Sequence, residues 1–215
     1  MPTKLDKREY RKIDAALMET RTAEDGAMIV EGYATTFGQP YELWRDKEMT
    51  VMEQIDRNAF AETDKSDVIM QYDHEGRVFA RTGNGTLDMT EDDHGLKIRA
   101  NLGGTEIGRQ LFEEIRGGYT NKMSFGFTVK ADERKTTRDE NGHITVLRTI
   151  TKIGKLYDVS AVSLPANDAT EISARMTGDG LIAEVLEEVK AEEERKRRIE
   201  EIRKLLKGDT ENHDE

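Results

Sequence analysis

The chain has 215 residues, enough for one domain with a real core plus an appendage, yet 35% are hydrophobic and 36% charged, so part of it must lie outside any core. A formal net charge of -11 excludes free-standing nucleic-acid binding, which needs Lys and Arg clustered against phosphates. With no cysteine, disulfides, thiolate catalysis and cysteine-based zinc sites are excluded, and no apolar run approaches the roughly 20 residues of a membrane span.

Met1 to Ile13 is charged and carries no signal-type apolar segment, so a soluble intracellular protein without a membrane partner is expected. Residues 1–26 read as a polar N-terminal arm, either loose or paired as an edge strand, with a short helix over Asp14 to Met18. Met28 to Ala34 reads as a strand. The loop Gly38 to Lys47 carries Pro40 and the single tryptophan, Trp44. Val51 to Ile55 follows as a strand, and Asp56 is placed to cap a short helix around Ala59 and Phe60. Val68 to Tyr72, Val78 to Thr82, Thr86 to Met89 and Leu96 to Leu102 are short strands between glycine-rich breaks.

A helix is marked from Thr105, its N-cap, through Ile107, Leu111, Phe112 and Ile115 on one stripe, to Gly117-Gly118 at its end. Strand Met123 to Lys130 follows. Asn141-Gly142 signals a two-residue hairpin turn that pairs the segment ending near Lys135 with Ile144 to Thr151. Gly154 breaks that run, and Lys155 to Ser163 is the last strand before Pro165. Many short strands around one helix predict a mainly β, α+β architecture: a sandwich or barrel with peripheral helices. From Gly180 the pattern becomes helical, with apolar ends (Leu181 to Val189, Ile199 to Leu206) around the charged stretch Glu192 to Arg198. Gly208 is expected to end this helix and Asp209 to Glu215 to be disordered. The division is therefore an arm at 1–26, a catalytic domain at 27–176 and a charged helical tail at 177–215.

In the strand after the helix, Met123, Phe125, Phe127 and Val129 alternate with Ser124, Gly126, Thr128 and Lys130. Period two sends the apolar set to the core and Ser124 to the opposite face, beside the space left by Gly126. A hydroxyl held on a rigid strand suits a nucleophile; it also suits an ordinary strand serine. His74 stands where the apolar run Val68-Ile69-Met70 ends, and Asp158 lies inside a late strand. Serine hydrolysis needs an attacking hydroxyl, a base and a group that fixes the base's tautomer, and Ser124, His74 and Asp158 supply these types from three separate elements. The unperturbed imidazole titrates at about 6.5, near working pH. His94 and His143 sit in charged turns and read as surface residues, and His213 lies in the tail. Ser160 and Ser163 read as structural, Ser160 being the best substitute nucleophile. Asp73, His74 and Glu75 leave a metal site open, without a second histidine at ligand spacing. No metal and no cofactor is expected. Gly117, Gly118 and Gly126 are candidates for close backbone approach to a substrate.

Tyr72-Asp73-His74-Glu75-Gly76-Arg77, then Ser124-Phe125-Gly126-Phe127, then Asp158-Val159-Ser160-Ala161-Val162-Ser163-Leu164-Pro165-Ala166, resemble in type and order the prohead maturation proteases of tailed bacteriophages, a family related in fold to the herpesvirus assemblins. Gly32-Tyr33-Ala34-Thr35-Thr36-Phe37 resembles the family's first strand, and the likeness runs from about Ile29 to Thr170. It implies a closed β-barrel core and a serine endopeptidase with Ser124 as nucleophile, His74 as base and Asp158 as third member, where the family usually has the longer glutamate. It further implies action inside the procapsid, in the host cytoplasm. The substrates would be scaffolding protein or the scaffold segment of the major capsid protein, and then the enzyme itself. The competing expectation is a non-enzymatic assembly factor whose Leu181 to Leu206 helix binds scaffold.

Overall fold

A computed structural model describes residues 8–13, 18–163 and 180–210. The expected helix over Asp14 to Met18 and the Pro165-Ala166 motif fall largely or wholly outside these residues, as does the end of the tail from 211. The chain divides into two compact units, Met1–Gly178 and Asp179–Glu215.

Eleven strands are described in the first unit: β1 (Arg8–Ile13), β2 (Glu19–Thr22), β3 (Met28–Thr36), β4 (Tyr41–Arg45), β5 (Met49–Ile55), β6 (Ile69–Tyr72), β7 (Glu75–Arg81), β8 (Leu87–Glu91), β9 (Gly95–Asn101), β10 (Lys122–Arg138) and β11 (Ile144–Val162). The N-terminal arm thus contributes two edge strands. One helix, α1 (Glu106–Arg116), is embedded between β9 and β10; Thr105 caps it by accepting from the Gly108 amide at 3.0 Å. Gly118, at φ 77°, turns the chain out of α1.

The β10–β11 hairpin is the spine. Both strands are long because Thr, Val and Ile recur through them, residues that fit a pleated, half-buried surface. The expected Asn141-Gly142 turn is wider than two residues. Asp139 organises it, accepting from the amides of Asn141 and His143 at 2.9 Å each. Nor does Gly154 break β11. A Cβ there would stand 2.9 Å from Thr128 Oγ1 and 3.2 Å from Lys130 Cγ, so the glycine allows close approach within an irregular part of the ladder.

Because β11 has 19 residues, it serves two parallel partners in succession. Its first half pairs with β5, from Ile144↔Met49 to Ile150↔Ile55; its second half pairs with β6, from Asp158↔Ile69 to Ala161↔Tyr72. The seven-stranded sheet has the order β1-β10-β11-β5-β4, with β6 on β11 and β7 on β6; a second sheet has the order β2-β3-β9-β8. Val30, Ile98, Phe60, Phe112, Phe125 and Ile150 are among the side chains that fill the core.

Among the described residues the ladder is not the expected closed barrel. The two sheets meet at a single bridge, Phe37↔Ile55. Gly38, at φ 64°, then turns the chain into β4, which takes the edge of β5 that β3 would need for closure. The expected helix at Ala59-Phe60 is also absent. Asp56 does accept from the Asn58 amide at 2.8 Å, but the segment runs as successive turns with Phe60 buried. In the second unit α2 (Leu181–Thr210) runs through Gly208 rather than stopping there. Ile199 and Ile202 are exposed on it. No described helix is long and apolar enough to cross a membrane.

Candidate active site

Each of the three singled-out side chains is set by a different element. In β10 the alternation holds: Met123, Phe125, Phe127 and Val129 are all buried in the core, and Ser124 faces the other way. His74 comes from the β6–β7 connection, which has two residues between the paired Tyr72 and Glu75. Both Asp73 (φ 48°) and His74 (φ 63°) are left-handed there, as a tight hairpin turn of the right twist demands. For non-glycine residues this costs ~1–2 kcal/mol each. Asp73 compensates: its amide donates to Ala161 O at 2.9 Å, and its carboxylate accepts from the Ser163 amide and hydroxyl at 3.1 and 3.0 Å. These bonds clamp the hairpin tip to β11. Asp158 lies in the stretch of β11 flanked by both other elements, paired with Gly126 of β10 and Ile69 of β6.

The three meet in line. His74 Nε2 is 2.5 Å from Ser124 Oγ, and His74 Nδ1 is 2.5 Å from Asp158 Oδ2. The carboxylate side requires a proton on Nδ1. Ser160 donates its hydroxyl to Asp158 Oδ2 at 2.8 Å, and the Arg8 guanidinium donates to Oδ1. Burial pushes the Asp158 carboxyl up, but the hydrogen bond and charge of His74, the Ser160 hydroxyl and the Arg8 charge together hold it below the usual aspartate value. Asp158 is therefore an anion in a fully buried place. The aspartate, one methylene shorter than glutamate, reaches His74 without difficulty. Gly126 makes room for this arrangement: a Cβ would collide with Asp158 Oδ1 and lie 2.9 Å from the Tyr10 ring.

One expectation is corrected. Ser124, expected on the face opposite the core beside open space, is 0% exposed. β1 lies antiparallel along the free edge of β10, with Lys12 opposite Ser124 and Tyr10 opposite Gly126. The Tyr10 ring sits 4.5 Å from the imidazole, and Ser124 Oγ donates to Arg11 O at 2.8 Å. A hydroxyl has one proton. While Ser124 donates it to Arg11 O, it cannot also donate to His74 Nε2.

The other candidates lie elsewhere. His94 packs edge-on against Tyr33, and His143 Nε2 is 2.8 Å from Thr50 Oγ1. Ser160 supports Asp158, and Ser163 holds the hairpin tip. Arg8 and Tyr10 escaped sequence reasoning because a run of charge around a lone tyrosine looks like a solvated arm. Asp73 had a usable signal: two polar residues between strands, both tolerant of left-handed backbone.

A hydroxyl, an imidazole and a buried carboxylate in one hydrogen-bonded line, carried on a mainly β frame, have the arrangement of a serine hydrolase. The family model described as Caudovirus prohead serine protease matches residues 16–181, and the chain belongs to that family. It is a serine protease of phage capsid assembly and maturation. No curated protein matches the chain. Among solved structures it is similar to the bacteriophage T4 capsid assembly protease, gp21, at 14% identity and TM-score 0.40, over 73% of this chain and 99% of that one.

Proposed function

We propose that Ser124 is the nucleophile, His74 the general base and Asp158 the residue that orients it. The observation that carries this reading is the pair of 2.5 Å contacts that link Ser124, His74 and Asp158 in series. As the hydroxyl attacks a peptide carbonyl, His74 Nε2 takes its proton. Asp158 keeps the Nδ1–H tautomer and stabilises the imidazolium. The proton then passes to the leaving amine, and water repeats the sequence to release the acyl group.

The substrates are the scaffolding protein or the scaffold segment of the major capsid protein, followed by the enzyme itself. The place of action is the procapsid in the host cytoplasm. Membership in the prohead protease family supports both statements. The tail at 177–215 is a docking element: α2 alternates apolar and charged stretches and leaves Ile199 and Ile202 exposed for a partner. The catalytic test is coexpression with the capsid protein and intact-mass analysis of the products. Ser124→Ala is expected to abolish processing. Near-wild-type processing by this variant would refute the nucleophile.

A further inference from the structure

β1 covers the site as a peptide would. It runs extended and antiparallel to the strand that bears Ser124, it lays one backbone carbonyl, that of Arg11, on the Ser124 hydroxyl, and it excludes solvent from all three proposed catalytic side chains. Its residues, Arg8–Ile13, also precede the stretch matched by the family model, residues 16–181. Strand addition to a free edge is a general mode of peptide recognition, in which main-chain bonds give affinity and side-chain pockets give selectivity.

The pocket in question holds the Arg11 side chain. Arg11 is 2% exposed, and its guanidinium grips the Glu53 carboxylate with two prongs, Nε to Oε1 at 2.5 Å and Nη2 to Oε2 at 3.0 Å. Glu53 is itself fully buried. Tyr41 donates its hydroxyl to Glu53 Oε1 at 2.6 Å, and Arg148 donates to Oε2 at 2.8 Å. The Phe127 ring lies 5.7 Å from the Arg11 guanidinium carbon. Burial pushes the Glu53 carboxyl up, but Arg11, Arg148 and Tyr41 outweigh it and keep it ionised. Arg148 also serves Glu9 and Asp132, the latter with Arg134 nearby. Subtracting β1 removes Arg11 and Glu9 together. Glu53 then keeps one cation and a phenol but loses its bidentate partner, the geometry that a planar guanidinium fits and an ammonium or amide does not.

We propose that this is the enzyme's specificity pocket: the substrate is an extended peptide that adds to the β10 edge in the register of β1, sends an arginine side chain to Glu53, and is cut on the carboxyl side of that arginine. The proposal rests on the assignment of Ser124 as nucleophile. β1 is then a tethered occupant of the enzyme's own channel. While it is docked, its carbonyl oxygen accepts the Ser124 hydroxyl's hydrogen bond, so the hydroxyl points away from the base, His74 Nε2. For cleavage the carbonyl must turn off the hydroxyl. Ser124 Oγ then bonds to the arginine carbonyl carbon, and the C–N bond to the following residue breaks. The Ser124 proton travels by His74 to the departing amine, and water frees the acid.

The test uses the full chain and a synthetic peptide of the sequence from Asp6 to Ala15, with versions bearing Lys, Ala or Glu in place of Arg11; product masses locate each cut. The expected result is cleavage after the arginine, with kcat/KM at least tenfold lower for the Ala and Glu peptides and intermediate for Lys. The chain carrying Arg11→Ala should cut the arginine peptide faster than the wild type, because its tethered competitor is weakened. Glu53→Gln should bring the Arg-to-Ala ratio of kcat/KM toward one; the ratio is unaffected if part of that variant fails to fold. Ser124-dependent cuts at other positions, or equal rates on the Arg and Ala peptides, would overturn the pocket and leave the protease assignment standing. No Ser124-dependent cleavage of any peptide or of the capsid protein would overturn both.

Discussion

Consider Asp158→Asn, a change of one atom at the centre of the site. Both carboxylate oxygens are engaged: Oδ2 accepts from His74 and Ser160, Oδ1 from Arg8. An asparagine has one oxygen and one amide nitrogen for these two positions. With the oxygen kept toward His74, the amide group faces the Arg8 guanidinium, donor against donor. With the amide reversed, the oxygen accepts from Arg8 and the NH2 donates to His74 Nδ1 and Ser160 Oγ, so every polar group is paired. The reversed form is therefore favoured, and it moves the imidazole proton to Nε2, where it faces Ser124 and cannot take a proton. The alternative form keeps the tautomer but loses the negative charge that stabilises the imidazolium. Either way the expected loss in kcat/KM is three to four decades, or about 4–5.5 kcal/mol at ~1.4 kcal/mol per decade. The assay is the rate of capsid-protein or peptide cleavage, with circular dichroism to show that the variant is folded. Activity within tenfold of wild type in a folded variant would refute the role given to Asp158.

His74→Ala should be as inactive as Ser124→Ala, and the double variant no worse than either, since the members act as a unit; additive losses in single-turnover cleavage would contradict a shared relay. Gly154→Ala should lower stability by about 1 kcal/mol. The new Cβ crowds Thr128 Oγ1, which accepts from the Lys155 amide at 3.1 Å, and this overpacking outweighs the gain from a stiffer unfolded chain. An unchanged or raised Tm would count against it. In acid, the depressed Asp158 carboxyl contributes stability that is present above its unfolded value, about 3.9, and is lost as pH falls through its lower folded value. The Tm difference between wild type and Asp158→Asn should therefore shrink below about pH 4; a constant difference would mean that Asp158 is not held ionised by its partners.

The sequence by itself determined what short-range rules can carry. Alternation in Met123 to Val129 named the core face of β10 and put Ser124 on the other. Thr105, the stripe of α1 and Gly117-Gly118 bounded a helix that forms where expected. The segments around His74, Ser124 and Asp158, by their order and their resemblance to the prohead proteases, suggested a serine protease, although each residue alone suits a structural role. What only the tertiary structure decided depends on which edges meet. A strand's pattern states its faces but not its neighbours. Nothing local shows that β11 would carry β5 and then β6 along one edge, which brings His74 to Asp158. Nor does it show that β4 would take the edge that closure of a barrel requires. The largest gap is β1. Its charges have the look of a solvated arm, and Arg11 is buried, with Arg8 and Glu9 paired beside it, only because Glu53, Arg148 and Asp158, distant in the chain, are folded into place to receive them. A buried charge is tolerable only with its partner, and the partner is a property of the fold.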